Sequence, residues 1–593
     1  MALGTFFYVV GPSGSGKDTL IAGAKEALPH SNYVFARRVI TRRAGSPGED
    51  HEAVSEEEFS AAESNGEFLV AWRAHGLRYA LRKELLDAIE SGRNVIANGS
   101  RAAAADLIGR VPRLVIIEVW VPEHLLAARI AGRGREQGRQ VAERVGRKTP
   151  PLPPHLTIVR VNNDGAPDEG IARFLAAIHA VAATVAPQSL PQLRRKIGGA
   201  TLTESEYDAV IRDIHERRHA DGDIRDFLVA ATSRLSDGEI LALAKVRARY
   251  ATAIKWEHPL VVDKHSIGGA PGSRITLIVV PIVAAHGGPI MPKTSSRAIT
   301  SAAGTADVME TLARVDLSPS EVLSVVERTN ACIAWNGKLN HSYLDTMMNA
   351  ITRPLALDSA RWSVASILSK KLAAGSSHVV IDIPWAPGAK TPDAARAAEL
   401  GSLFETIGEE LGLSVRAVPS DGRRPIGRGI GPALEARDVM RVLDNDSEAS
   451  ADLREKALAF AAIIISWDGN VPDAAAARVR AEHLLASGAA RAAFDAIIDA
   501  QGRSDPVLPG AKMATVVADR GGIVIEIDGY AISSIAREAG APVDKSAGID
   551  LITQIGDRVR AGDPLYIIHG ANRTDVEVAS ARADQHSGFA IKG

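Results

Sequence analysis

Apolar residues fall first into short unbroken runs, then into helical periods, and finally into short alternating stretches. Phe6–Val10, Asn94–Ala97, Leu114–Val119 and Leu156–Val161 are runs of buried-strand type. Between them lie segments of helical spacing, one reaching Leu28 and an arginine-rich one from Leu125 to Arg147. Prolines clustered between Thr149 and Pro154 break any helix there, and Asn162-Asn-Asp-Gly165 reads as a turn before a further helix. Ala186-Pro-Gln-Ser-Leu-Pro191 reads as a linker, and helical spacing returns from Leu193 to about Ile254. Thr203-x-x-Glu206 is not expected to form a capping box, because Glu206 begins no clean apolar face, although Thr203-Glu-Ser-Glu206 resembles a helix start. Strand-like runs at Leu260–Asp263, Val379–Ile383 and Ser414–Ala417 then alternate with alanine-rich helices, which predicts a doubly wound α/β domain. After Pro506-x-x-Pro509 the tail from Ala511 is strand-rich and punctuated by glycine, as in Gly522–Ile527.

At 593 residues the chain is too long for one core and is expected to form about four domains. Apolar residues at 46% and charged residues at 24% exclude disorder and fibres. Lys+Arg of 69 against Asp+Glu of 71 leaves a net charge of −2, so no basic field attracts nucleic acid. The single cysteine, Cys332, excludes an internal disulfide and a zinc–cysteine cluster, and is expected to be a small buried apolar residue. No apolar run reaches the roughly 18–20 residues that span a bilayer; Ile275–Ala285, the longest, is interrupted by Pro281. The N-terminal apolar stretch lacks a basic leader region. A cytoplasmic protein with no membrane partner is expected.

Candidate chemistry begins at Gly11-Pro-Ser-Gly-Ser-Gly-Lys17, placed between a strand and a helix in the Walker A arrangement. Such a loop turns backbone N–H groups and a helix N-terminus toward phosphate oxygens, and its lysine reaches the terminal phosphates. Gly11, Ser13, Gly14, Ser15, Gly16, Lys17, Asp18 and Thr19 are the expected ATP-binding residues, with Lys17 catalytic. Asp18 stands where Ser or Thr is usual; a carboxylate is also a hard ligand, so Mg²⁺ brought with ATP is expected near Asp18 and Thr19.

The run Ala36-Arg-Arg-Val-Ile-Thr-Arg-Arg43, the stretch Gly48–Phe59, Trp72–Tyr79 and Asn98-Gly-Ser-Arg101 together resemble guanylate-kinase-like enzymes, and more closely the ribose 1,5-bisphosphate phosphokinases, over roughly residues 5–183. That family also has Asp after the Walker lysine. Arg38, Arg42 and Arg43 suit the phosphates of a doubly phosphorylated sugar, since guanidinium forks match phosphate oxygens. The resemblance implies a lid over ATP carrying Arg129, Arg133, Arg135 and Arg144.

A second constellation lies centrally. Val261-Val-Asp-Lys-His-Ser-Ile-Gly-Gly269 feeds a strand into a polar turn, where Lys264, Ser266 and the glycine amides can form an anion site. His265 is expected to order this turn. Lys293-Thr-Ser-Ser-Arg-Ala-Ile-Thr-Ser301 and Gly304-Thr305 add hydroxyls beside two cations, which suits an oxyanion. With Val364-Ala-Ser-Ile-Leu-Ser-Lys-Lys371, these motifs resemble the pyrimidine-nucleoside phosphorylase superfamily from about Leu193 onward. The resemblance implies a small helical domain, a larger α/β domain and a β-rich C-terminal hammerhead domain, in a homodimer.

Within that superfamily the loop Thr294–Thr305 looks like the AMP phosphorylase branch, and Ile351 stands where a pyrimidine-gripping arginine is expected. The branch implies nucleotide contacts from Gly269, Ser296, Arg297, Ala298, Ile299, Thr300, Ser301, Thr305, Ser366 and Lys390, and a proton donor at Asp358. A carboxylic acid can protonate the leaving base if burial raises its pKa. Asp421-Gly-Arg-Arg-Pro-Ile-Gly-Arg-Gly-Ile-Gly-Pro432 is expected to make a tight loop near the cleft.

The expected organisation is a P-loop kinase α/β domain over residues 1–185, a linker at 186–192, a helical domain at 193–256, a phosphorylase α/β domain at 257–505 and a β-rich domain at 510–593. The two resemblances imply phosphorolysis of a nucleoside 5′-monophosphate by inorganic phosphate, then ATP-dependent phosphorylation of the ribose 1,5-bisphosphate formed. Two alternatives stand: a thymidine phosphorylase fused to the same kinase, and an N-terminal half that senses nucleotide without turnover.

Overall fold

The computed structural model describes residues 3–28, 32–42, 51–74, 76–122, 124–126, 129, 152–153, 156–184, 186–268, 275–298, 301–337, 339, 348, 351 and 359–593. Its contacts divide the chain into two units, Met1–Ala230 with Arg249–Thr252, and Ala231–Ala248 with Ala253–Gly593.

In the first unit Phe6–Val10 is the middle strand of a parallel sheet, in the order Tyr33–Phe35, Asn94–Asn98, Phe6–Val10, Leu114–Trp120, Thr157–Asn162. It is wholly apolar because both its faces are covered. Phe7 and Val9 pack with Leu20, Phe174 and Ile178, whereas Phe6, Tyr8 and Val10 pack with Leu69, Leu81 and Ile89. A second sheet orders His51–Ala53, Arg38–Ile40, Leu77–Arg82 and Phe68–Ala74. The apolar pattern does not announce these strands, because arginines do part of the covering. The guanidiniums of Arg78 and Arg82 lie 4.2 and 5.5 Å from the ring centres of Phe59 and Phe68.

Thr203 corrects the sequence reading. Its side chain accepts from Glu206 N at 3.4 Å while Glu206 Oε2 accepts from Thr203 N at 2.9 Å, so the capping box is present. The motif needs only local geometry, and the helix Glu204–His215 does bury Tyr207, Val210, Ile211 and Ile214 on one face. The segment read as a linker is anchored: Gln188 N and Ser189 N both donate to the buried Asp213, and Leu190–Ile197 is helical. Asn94, on the parallel sheet, accepts from Thr5 N at 2.9 Å and donates to Glu216 at 3.0 Å; Asn32 donates to the same carboxylate.

In the second unit the strands Ala331–Trp335 and Met291–Ser295 pair in parallel. A parallel bridge from Ile290 to Val261 joins them to Val262–Ser266, followed by His378–Trp385 and Ser414–Asp421. Later strands thus lie on both sides of Val262–Ser266, the doubly wound arrangement with its switch point beside that strand. Thr276–His286 is helical through Pro281 and buried from Thr276 to Ala284. It has no polar face because it is enclosed among Ala451–Ile465, Ala474–Ala486 and Ala489–Gln501. Among the described residues no helix is long and apolar enough to cross a membrane. Cys332 is buried in the adjacent core, which pushes its thiol up to about 12.

The tail forms two antiparallel sheets, one ordering Gly429–Ile430, Gly548–Leu551, Pro564–Gly570 and Lys512–Val517, the other Arg558–Val559, Gly522–Ile527 and Phe589–Lys592. The glycine-rich block therefore serves docking: Gly431, at φ 122°, runs so close to Ala547 O that a Cβ would collide. Asp438 Oδ2 accepts from Arg428 N at 2.9 Å and Gly429 N at 2.7 Å, fixing the turn into that strand.

Candidate functional site

Each unit carries one polar constellation at the carboxyl edge of a parallel sheet, the usual ligand edge of such sheets. In the first unit the strand Phe6–Val10 ends in the loop Gly11–Gly16, with Gly14 at φ 86° and Gly16 at φ 84°. No side chain caps the helix Lys17–Ala27, whose N-terminus directly follows the loop, the position at which helix ends favour anions. Lys17 Nζ folds back onto Gly11 O at 2.9 Å and Pro12 O at 3.2 Å. Ser13, Asp18 and Thr19 are exposed, and Asp18 Oδ1 accepts from Asn98 Nδ2 at 2.7 Å. Asn98 Oδ1 and the buried Ser15 Oγ have no hydrogen-bond partner among the described residues. Asp18 and the unpartnered Asn98 Oδ1 thus bring hard oxygen donors together at the start of this helix, chemistry that suits Mg²⁺.

Asn163, read only as part of a turn, braces this loop. It is 5% exposed and donates through Nδ2 to Ser15 O at 2.7 Å. Arg129 donates to Asn163 O at 2.9 Å, which places one of the expected lid arginines beside the loop. Arg133, Arg135 and Arg144 lie outside the described residues, as does Arg43. Arg38 stands 5.2 Å from the centre of the Tyr79 ring, which stacks on Trp72 at 5.6 Å. Arg42 is half-buried at the end of the same sheet. Glu118 gathers Arg101 and Arg160, and the two guanidiniums outweigh burial to hold its carboxyl below the usual range.

In the second unit Val262–Ser266 carries the expected anion turn. Asp263 is wholly buried and accepts from Lys293 Nζ at 3.1 Å and Lys371 Nζ at 2.6 Å. Burial alone would raise its carboxyl, but the two ammoniums hold it below the usual range. Asp382, on the neighbouring strand, lies 3.8 Å from Lys264 Nζ and 3.0 Å from Lys456 Nζ, and accepts from Ser420 Oγ at 2.6 Å. Burial pushes Lys264 and Lys371 each down to about 8. Burial likewise keeps His265 well below its ordinary value, so it adds no charge. Among the described residues four lysines, Lys264, Lys293, Lys371 and Lys456, face two carboxylates, leaving two more cationic than anionic side chains in this cluster. Ser266 Oγ, at the strand end, has no partner among the described residues. An oxyanion at this edge would compensate the excess and engage that hydroxyl.

The remaining expected contacts divide. Ser296, Arg297, Ala298, Ser301 and Thr305 lie on the connection from Met291–Ser295 to the helix Thr305–Met309. Arg297 is bound to Glu310 and lies 5.0 Å from the centre of the Trp335 ring. Lys390 donates to Ser363 Oγ at 3.3 Å, which brings it to the helix Ala360–Ala373 that carries Ser366. Gly269, Ile299, Thr300 and Asp358 lie outside the described residues. Asp263, Asp382 and Lys456 were missed by the sequence reading, yet a carboxylate inside the apolar run Val379–Ile383 is itself a signal of a buried cation partner.

Residues 258–491 match the family described as "Glycosyl transferase family, a/b domain", and residues 523–590 match "Pyrimidine nucleoside phosphorylase C-terminal domain". A bifunctional ribose 1,5-bisphosphokinase-thymidine phosphorylase of Azorhizobium caulinodans is 52% identical, over 100% of this chain and 98% of its own. Proteins of the same description from Cupriavidus pinatubonensis and Roseobacter denitrificans are also similar. The first is 56% identical over 98% of this chain and 96% of its own. The second is 39% identical over 99% and 100%.

Proposed function

The chain belongs to the family of bifunctional ribose 1,5-bisphosphokinase-thymidine phosphorylases, an enzyme with a phosphotransferase and a glycosyltransferase on one polypeptide, and on that premise we propose that its two reactions share an intermediate. Inorganic phosphate attacks C1′ of a nucleoside 5′-monophosphate, the C1′–N bond breaks, and a proton from Asp358 passes to the leaving base. The product is ribose 1,5-bisphosphate. Its 1-phosphate oxygen then attacks the γ-phosphorus of ATP, ADP departs, and 5-phosphoribosyl 1-diphosphate forms.

The observation that supports the first step is the excess, among the described residues, of buried lysines over carboxylates around the strand that ends in Ser266. Lys264 and Ser266 hold the attacking phosphate, while Ser296–Ser301, Thr305, Ser366 and Lys390 hold the nucleotide. In the kinase, Gly11–Thr19 hold ATP, Lys17 reaches the transferring phosphoryl group, and Arg38, Arg42 and Arg43 hold the sugar phosphates. Asp18 and Asn98 would hold Mg²⁺, which would supply neutralisation of the phosphate charge. The enzyme acts in the cytoplasm as a homodimer formed through its phosphorylase half.

The name shared by the relatives favours a second reading, phosphorolysis of thymidine by the same phosphate site. Phosphate-dependent base release from AMP, CMP, UMP and thymidine, measured side by side, separates the two. Ribose 1,5-bisphosphate formed from a monophosphate, and consumed when ATP and Mg²⁺ are added, is the expected result. Release from thymidine and from no monophosphate would overturn the shared intermediate.

A further inference from the structure

The Asp307 carboxylate draws together both ends of the hydroxyl-rich loop. Its Oδ2 accepts from Ala298 N at 2.6 Å and from Gly304 N at 3.0 Å. Gly304 lets the two ends meet, since a Cβ there would stand 2.7 Å from Ala298 N and 2.9 Å from Ser296 O. The other oxygen, Oδ1, accepts from Lys545 Nζ at 2.9 Å, and the same ammonium lies 2.9 Å from Glu310 Oε2. Asp307 is 2% exposed, so its charge would be uncompensated in the interior without a cation. Arg297 completes a neutral set of two cations and two carboxylates by binding Glu310 and approaching Asp307 Oδ1 at 3.5 Å. The Arg297 guanidinium pulls the Glu310 carboxyl down to about 2, with Lys545 adding to the effect.

A second attachment lies further round the loop. Ala302 N donates to Ser533 Oγ at 3.0 Å. The Ala302 side chain is 1% exposed, within an apolar cluster that includes Ile430, Ile532 and Ile549. Lys545 and Ser533 both belong to the β-rich C-terminal region, where Ser533 sits on the helix Gly529–Glu538. Two independent contacts from that region therefore fix a loop that follows a strand of the α/β sheet.

We propose that Lys545 and Ser533 are positioning residues of the phosphorylase, holding the segments Ser296–Ala298 and Ser301–Thr305 where they receive the organic substrate. The C-terminal region thereby acts on substrate binding through Asp307 and Ala302. The proposal rests on the reading that this loop contacts the nucleotide.

The test compares full-length wild type with Lys545→Met, Lys545→Arg and Ser533→Ala, using whichever nucleoside or nucleotide the wild type cleaves. Lys545→Met is expected to raise the KM of that substrate by about tenfold or more, because a displaced loop misplaces its contacts. The KM for inorganic phosphate and the kinase turnover of the same preparation stay unchanged. Lys545→Arg restores most of the loss, and Ser533→Ala gives a smaller shift in the same direction. An unchanged substrate KM in Lys545→Met overturns the proposal. So does a proportional fall in every activity, kinase included, that arginine does not rescue. A monophosphate that proves inert while thymidine is cleaved overturns the preceding reading and leaves this comparison intact.

Discussion

The ammonium of Lys264 lies 3.8 Å from Asp382 Oδ2, and both side chains are almost completely buried. Burial brings Lys264 down to about 8, Asp382 opposes that fall, and Lys456 deepens it. Among the described groups Asp263 also opposes the fall, Lys371 deepens it, and the nearby His265 is neutral. Lys264 therefore carries its charge below about pH 8 and loses it above, so phosphate affinity should fall as pH rises through that value. Asp382→Asn removes the stabilising carboxylate and moves the fall to lower pH, whereas Lys456→Met moves it to higher pH. The KM for phosphate, followed from neutrality to about pH 10 in the three proteins, checks both directions.

Lys17→Met should abolish the kinase and spare the phosphorylase. The ammonium lies on its own loop carbonyls and becomes a phosphate ligand only by leaving them. Losing one preorganised donor of this kind costs about 10²–10³ in kcat. Parallel assays of base release and ATP-dependent transfer on one preparation decide it; a matching loss in both reactions would mean a folding defect.

Asn163→Ala removes a buried donor from Ser15 O, at a cost of about 1–3 kcal/mol for the unsatisfied carbonyl. The KM for ATP should rise more than kcat falls, because the side chain supports the loop from behind. Asn163→Asp should be worse, since it sets a carboxylate against that carbonyl. ATP titrations of the three proteins read the order.

His215 and His179 make the first unit sensitive to acid. Burial pushes His215 down to about 3 and His179 down to about 4, while both titrate near 6.5 when unfolded. Between those values the unfolded chain binds more protons. Stability is therefore present above about pH 6.5 and lost as pH falls, at up to about 1.4 kcal/mol per pH unit for each histidine. Glu216, raised by burial, slopes the other way. The histidine contribution is read as the difference between wild type and His215→Phe in urea unfolding at about pH 7 and pH 5. A variant with the wild-type slope would refute it.

The phosphate loop was legible because its signal is local: strand, glycine spacing, lysine and helix follow one another from Phe6 to Ala27. Lys264 and Ser266 were legible for the same reason. The charges around them were not, because Asp382 meets Lys456 across two helices and two strands of intervening chain, and no periodicity links such distant positions. Asn163 carried only the polarity of a turn, and its contact with Ser15 depends on how Thr157–Asn162 pairs in the sheet. Thr203 shows the opposite lesson, since a local rule held where an argument from the apolar face set it aside. The arginine-bearing strands at Arg38–Ile40 and Leu77–Arg82 escaped because their cover is guanidinium and aromatic ring rather than aliphatic side chain.

Glu216 binds Asn94 and Asn32, while Asp213 holds Gln188 and Ser189. A gene cut after residue 185 would thus strip the parallel sheet of the carboxylate that satisfies two of its amides. A piece of the chain that keeps both amides satisfied therefore reaches through the Glu204–His215 helix to Glu216. A boundary drawn where the chemistries divide would fall short of where the hydrogen bonds of this sheet end.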